Sequence, residues 1–111
     1  MVIERGEIYR INLEPTIGGE QQGKARPCLV LSISALNSRL RVIGVVPLSS
    51  SPRPLPPIIV AIPSAGLPTS TALCAQIRTI DKRRIVGGPT GRLTPGDLEQ
   101  VERGVRRCYG L

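Results

Sequence analysis

The chain has no histidine, no tryptophan and no phenylalanine, and only 8 acidic residues against 15 lysines and arginines in 111 residues. Each shortage excludes something. Without histidine there is no Ser-His-Asp triad, no two-histidine ribonuclease mechanism and no imidazole-bearing metal centre. Cys28, Cys74 and Cys108 are 3 thiols with no C-x-x-C spacing, which argues against zinc and for buried free cysteines in a reducing compartment. Neither a metal nor a cofactor is expected. Without Phe or Trp the core must be aliphatic and β-branched, and bases cannot stack on those rings as they do in many RNA-binding sheets. A Gly-x-x-x-x-Gly-Lys-Ser/Thr sequence is missing, which disfavours an NTPase. No apolar run approaches the ~20 residues of a membrane span, and the opening residues lack the apolar core of a signal peptide. A cytoplasmic protein is expected.

What is present bounds the class. A chain of this length is read as one domain, 1–111, large enough to bury roughly 65% of its unfolded surface. Its net charge of +7 favours a polyanionic partner through long-range attraction. The apolar residues mark strands. Ile8 to Leu13 alternates with period two, whereas Cys28 to Ile33 and Val42 to Leu48 are continuous runs suited to strands buried on both faces. Pro57 to Ile62, Thr71 to Ile80 and Arg84 to Val86 supply further short strands, and the proline-rich stretch Ser49 to Pro57 reads as a stiff, extended connection. Short strands separated by Gly/Pro turns indicate a small β-barrel. Only the C-terminus reads as helix. Thr94 suits the N-cap, Pro95 the first helical position, and Asp97 a Thr-x-x-Asp capping box. Leu98, Val101, Val105 and Cys108 then form one apolar stripe.

The chemistry concentrates in Gly18-Gly19-Glu20-Gln21-Gln22-Gly23-Lys24-Ala25-Arg26-Pro27. Glycines let this loop bend, and Pro27 forces Arg26 into an extended conformation at the mouth of a strand. A fixed guanidinium beneath a loop carboxylate, Glu20, suits a site for an anion. RNA carries its own nucleophile, so arginine and carboxylate chemistry suffices to cleave it: a base activates the ribose 2′-OH and a cation stabilises the phosphorane.

Arg5 to Tyr9 leading to Asn12-Leu13-Glu14-Pro15-Thr16, then the glycine loop through Pro27 with Leu29 to Ser32, resembles the MazF/PemK toxin family. Gln76-Ile77-Arg78-Thr79-Ile80-Asp81-Lys82 is similar to that family's second signature, and the strand ending Val45 to Ser49 fits between them. The resemblance implies the CcdB/MazF fold, a small SH3-like β-barrel with a C-terminal helix, usually as a homodimer. It also implies a toxin of a type II toxin–antitoxin system: a metal-independent, sequence-selective endoribonuclease that cuts single-stranded RNA such as mRNA to 2′,3′-cyclic phosphate and 5′-hydroxyl ends, inhibited by a cognate antitoxin.

Carried over by position, Arg26 matches the family's central arginine and would stabilise the phosphorane. Ser49 matches a catalytic hydroxyl that is commonly threonine, with Ser50 adjacent, and Glu20 matches a loop carboxylate proposed as base in some members. Gln21, Lys24, Ser50, Gln76 and Arg78 are the expected RNA-binding residues. Asp81 is expected to be a structural partner of the basic run around it. Two departures stand out: Ala75 occupies a position that is acidic in some relatives, and Lys24-Ala25 replaces a histidine-bearing stretch found in others. Two alternatives stay open at this point: a CcdB-like toxin that binds gyrase without cleaving nucleic acid, and an inactive homologue that only binds an antitoxin.

Overall fold

The computed structural model describes residues 2–13, 25–50, 53–66 and 70–111. Its strands are β1 (Glu7–Asn12), β2 (Ala25–Val30), β3 (Val42–Ser49), β4 (Ile59–Ala61), β5 (Thr71–Leu73), β6 (Arg78–Asp81) and β7 (Ile85–Arg92). A short helix α1 (Ser34–Arg39) precedes β3, and α2 (Pro95–Tyr109) ends the fold. Every pairing is antiparallel, in the order β4-β5-β3-β2-β1-β7 with β6 also on β3. Among the described residues this is an open path, with no pairing between its two ends. The expected strands are all present, and residues 14–24, which include most of the expected glycine-rich loop, lie outside the described residues.

The central strands explain the continuous apolar runs. Ile8, Leu29, Val46 and Leu48 face one core cluster beneath α2, together with Val60, Ile62, Val101 and Val105. Their neighbours Tyr9, Ile11, Cys28, Val30, Ile43 and Val45 face a second cluster closed by Ile80 of β6. Strands β1 to β3 are thus sandwiched between two apolar layers, so both side-chain parities must be apolar.

Helix α2 follows the sequence reading closely. The Thr94 hydroxyl accepts from the Asp97 N–H, Pro95 starts the helix, and Val101 and Val105 are buried with Leu98 and Cys108 packed beside them. The Asp97 carboxylate departs from the expected capping box. It accepts from the N–H and hydroxyl of Ser64, at 2.8 and 2.5 Å, and Ser64 Oγ in turn accepts from the Thr94 N–H. Ser64 therefore relays the box and ties the turn Pro63–Ala65 to the helix start. Gly104 lies on the buried face of α2, where the helix packs tightly against the rest of the fold. A Cβ there would lie 2.7 Å from Cys74 Sγ and 2.9 Å from the Pro57 carbonyl.

Two elements differ from the sequence reading. Helix α1 forms without any side-chain cap and with Ile33, Leu36 and Leu40 exposed. Buried Asn37 holds it in place, donating to the carbonyls of Ile3 and Ser32. Strand β7 runs on through Gly87-Gly88-Pro89-Thr90 because β1 supplies its partners. Ile8 pairs with Gly91 and Arg10 with Val86, so residues 87–90 bulge opposite Tyr9 alone. Gly87, at φ +79°, accommodates this bulge, and Pro89, lacking an N–H, is tolerated only in such an interruption.

Candidate active site

At the end of the sheet where β1 stops, β2 starts and β3 stops, the structure opens a cleft of about 450 Å³. It is lined by Ile8, Arg10, Arg26, Pro27, Leu48, Ser49, Ser50, Ala65, Gly66 and Thr90. Arg26 and Ser49 come together for a reason of register. Strands β2 and β3 pair Cys28 with Pro47 and Leu29 with Val46. Continued past Cys28, the same register sets Arg26 opposite Ser49. On the other side Arg26 faces Ile11.

The backbone beneath these side chains is fixed by local donors. Thr71 Oγ1 donates to the Ser49 carbonyl at 3.1 Å, and the Cys28 thiol to the Arg26 carbonyl at 3.6 Å. Arg10 Nη2 donates to the Ala25 carbonyl at 3.3 Å, while Arg84 Nη1 reaches the Asn12 carbonyl at 3.2 Å. On the far wall, Ala65 and Gly66 follow Ser64, which is clamped by Asp97. The bulge of β7 brings Thr90 to the rim, where its hydroxyl donates to the Ile8 carbonyl.

The electrostatics are one-sided. Among the described residues the lining contains two arginines and no acidic residue, and neither Arg10 nor Arg26 belongs to an ion pair. Cationic walls around a partly enclosed space concentrate the field and attract anions. Cys28, directly below, does not join this chemistry. Burial pushes its thiol up to about 12, against the smaller opposing pull of the Arg78 and Arg26 charges. It is a neutral thiol at physiological pH and a weak nucleophile. Tyr9 is likewise pushed up to about 12, by burial and by the hydrogen bond it donates to Glu7.

Of the residues singled out in the sequence, Arg26, Ser49 and Ser50 share the cleft. Gln76, in the turn Cys74–Gln76, and Arg78, at the start of β6, are exposed and outside its lining. Glu20, Gln21 and Lys24 lie outside the described residues. Asp81 is the structural partner expected of it. Its carboxylate accepts from the Arg83 N–H at 2.8 Å and from the Arg83 guanidinium at 3.2 Å. Arg10 and Thr90 line the cleft without having been singled out. The alternation of β1 already exposes Arg10, but only the register shows that the exposed position pairs with Pro27, next to Arg26 in the chain.

Residues 4–109 match the family of PemK-like, MazF-like toxins of type II toxin–antitoxin systems. The chain belongs to that family. It is 38% identical over 102 residues to endoribonuclease PemK of Escherichia coli, a match covering 89% of this chain and 76% of that protein. Endoribonuclease EndoA of Bacillus subtilis is 31% identical, with 93% and 88% covered. The fold of this MazF/PemK chain superposes on a mycobacterial endoribonuclease solved with its cognate antitoxin, at TM-score 0.80 and 27% identity over 98% of this chain and 96% of that one. MazF of Deinococcus radiodurans gives TM-score 0.82 over 100% of this chain and 99% of that one, and at 24% identity this likeness speaks for the fold alone. Mainly antiparallel β-structure with a C-terminal helix is therefore the family architecture.

Proposed function

We propose that this chain is the toxin of a type II toxin–antitoxin pair and acts as a metal-independent, sequence-selective endoribonuclease on single-stranded RNA. The observation that carries the reading is the cleft: Arg26, Ser49 and Ser50 line one space at the strand ends whose described charged residues are all cationic. In this reading the ribose 2′-oxygen attacks the adjacent phosphorus and gives up its proton to a base. The bond from phosphorus to the 5′-oxygen then breaks, leaving a 2′,3′-cyclic phosphate, and the departing oxygen takes up a proton as a 5′-hydroxyl. Arg26 stabilises the charge of the phosphorane through a planar fork that fits two phosphate oxygens. Ser49 donates to a phosphate oxygen, and Glu20 is the proposed base. Gln21, Lys24, Ser50, Gln76 and Arg78 contribute contacts along the strand. A homodimer, a cytoplasmic setting and a cognate antitoxin belong to the same proposal. So does the small SH3-like barrel, in which β1, β2, β3, β6 and β7 would surround the second core cluster. Among the described residues no helix is long and apolar enough to cross a membrane.

The test is incubation of the purified protein with a long unstructured RNA in EDTA, beside Arg26→Ala, with both ends of each product mapped. Discrete cuts bearing cyclic-phosphate ends, about 10²–10³-fold slower in Arg26→Ala, are expected. A folded wild-type protein that cuts no RNA would overturn the reading. Inhibition of gyrase supercoiling by that protein would then indicate a CcdB-like mode, and binding to the antitoxin alone an inactive homologue.

A further inference from the structure

We infer that Arg10 is a second phosphate-binding residue of the cleft, holding the RNA phosphate next to the one being cleaved. This rests on the ribonuclease reading above and narrows its substrate to RNA presenting consecutive phosphates. Strand β1 is paired on both sides, and the neighbours of Arg10 along it, Tyr9 and Ile11, are fully buried. A cation in such a strand is held in place from below. Arg10 pairs in register with Pro27 and donates to the Ala25 carbonyl, on either side of Arg26 in sequence. That bond uses one of the several N–H donors of a guanidinium, and the rest remain for a ligand. Among the described residues Arg10 has no carboxylate partner, and the wall it shares with Arg26 carries none.

Two like charges lining one cleft repel each other, and a single phosphodiester brings only one negative charge between them. A second phosphate neutralises the pair. An exposed guanidinium is also the group best shaped to grip phosphate oxygens. A phosphate contact of this kind carries no base preference of its own, so Arg10 sets where the chain lies and leaves sequence choice to other groups.

The test uses wild-type protein and a short oligoribonucleotide centred on a mapped cut site, with the phosphate on one side or the other of that site replaced by a neutral methylphosphonate. In the wild type, one of the two replacements should lower kcat/KM about tenfold or more, chiefly through KM, as expected for loss of one charge-assisted contact. Arg10→Gln should cleave the all-phosphate RNA about as slowly and be insensitive to the replacement, with a salt slope of binding smaller by about 0.7. Arg10→Lys should recover part of the effect. The inference is overturned if Arg10→Gln remains as sensitive as wild type, if wild type tolerates both replacements, or if the Arg10→Gln defect follows a guanine in the site instead of a phosphate. The wild-type and Arg10→Lys comparison decides the matter even if Arg10→Gln does not fold. A wild type that cuts no RNA overturns the ribonuclease reading and this inference together, a result distinct from the others.

Discussion

Strands β1, β2 and β3 are built in two halves. In their middles Ile8, Tyr9, Cys28, Leu29, Val30, Val45 and Val46 are almost wholly buried between two apolar layers. At the ends that meet at the cleft they carry Arg10, Arg26, Ser49 and Ser50. The buried half is held by many dispersed contacts, so no single side chain decides its geometry. The cleft half is held by single hydrogen bonds to carbonyls: Thr71 to Ser49, Arg10 to Ala25, Cys28 to Arg26. One set of strands thus keeps the proposed reactive groups within a few residues of a rigid core. Among the described residues, Arg10 and Arg26 have no carboxylate partner there.

That division is open to a direct test. Leu29 is three residues from Arg26 on β2 and is fully buried. Leu29→Ala should cost about 2–5 kcal/mol of stability, a large share of the 5–15 kcal/mol typical of a domain. Cleavage per folded molecule should change less than about twofold, since the register at Arg26 is kept by its neighbours on β1 and β3. Arg26→Ala should do the reverse, abolishing most activity while moving the thermal midpoint little, because its side chain is exposed. Denaturant melts and rates on matched folded fractions check both. If Leu29→Ala lost as much cleavage as Arg26→Ala at equal folded concentration, the separation of the two halves would fail.

How much of this was legible depended on how local each signal is. The start of α2 could be read because Thr94, Pro95 and Asp97 lie within a few residues of one another, and its buried face because Val101 and Val105 repeat at helical spacing. The run to the bulge of β7 could not. Gly87, Gly88 and Pro89 have low strand propensity, and only the pairing of their flanking residues with β1 carries the strand through them. Helix α1 was equally hidden, since it is six residues long, lacks a cap and depends on Asn37 reaching Ile3 across the fold. Arg26, Ser49 and Ser50 carry motif signals in the sequence and line one cleft in the structure. Arg10 and Thr90 belong to it through register and a bulge, which no window of sequence contains. Ser64, which completes the Thr94–Asp97 cap from 30 residues away, was out of reach for the same reason.

The wall formed by Ala65 and Gly66 joins the two halves, because Ser64 beside it is clamped to the packed helix α2. Asp97→Asn removes the charge from that clamp and should lower stability by about 1.5 kcal/mol, the low end for hydrogen bonds to charged groups. It should also raise KM for RNA several-fold with little change in kcat, as the wall loosens. Thr94→Ala is the control. Loss of its cap costs about 1 kcal/mol as well, but the Ser64–Asp97 contacts survive and KM should hold. Equal KM in both variants would mean that the clamp serves the helix alone.

The smallest effect is expected outside both halves, in the turn Lys82–Arg84. The Arg83 backbone N–H, and after it the Arg83 guanidinium, hold the Asp81 carboxyl below its ordinary value of 3.8. A carboxylate whose pKa is lowered by folding stabilises the fold above its unfolded pKa, and that contribution fades as pH falls through the lowered value. Asp81→Asn should therefore melt slightly below wild type at neutral pH, with the gap closing as the pH drops from about 4 downward. The pair is exposed, so salt should narrow the gap too. Melting curves between pH 7 and pH 2.5 decide it. A gap that persists at the acid end would show that asparagine fails to reproduce the turn for a reason other than charge, and would leave the Asp81 charge with no role in holding the turn between β6 and β7.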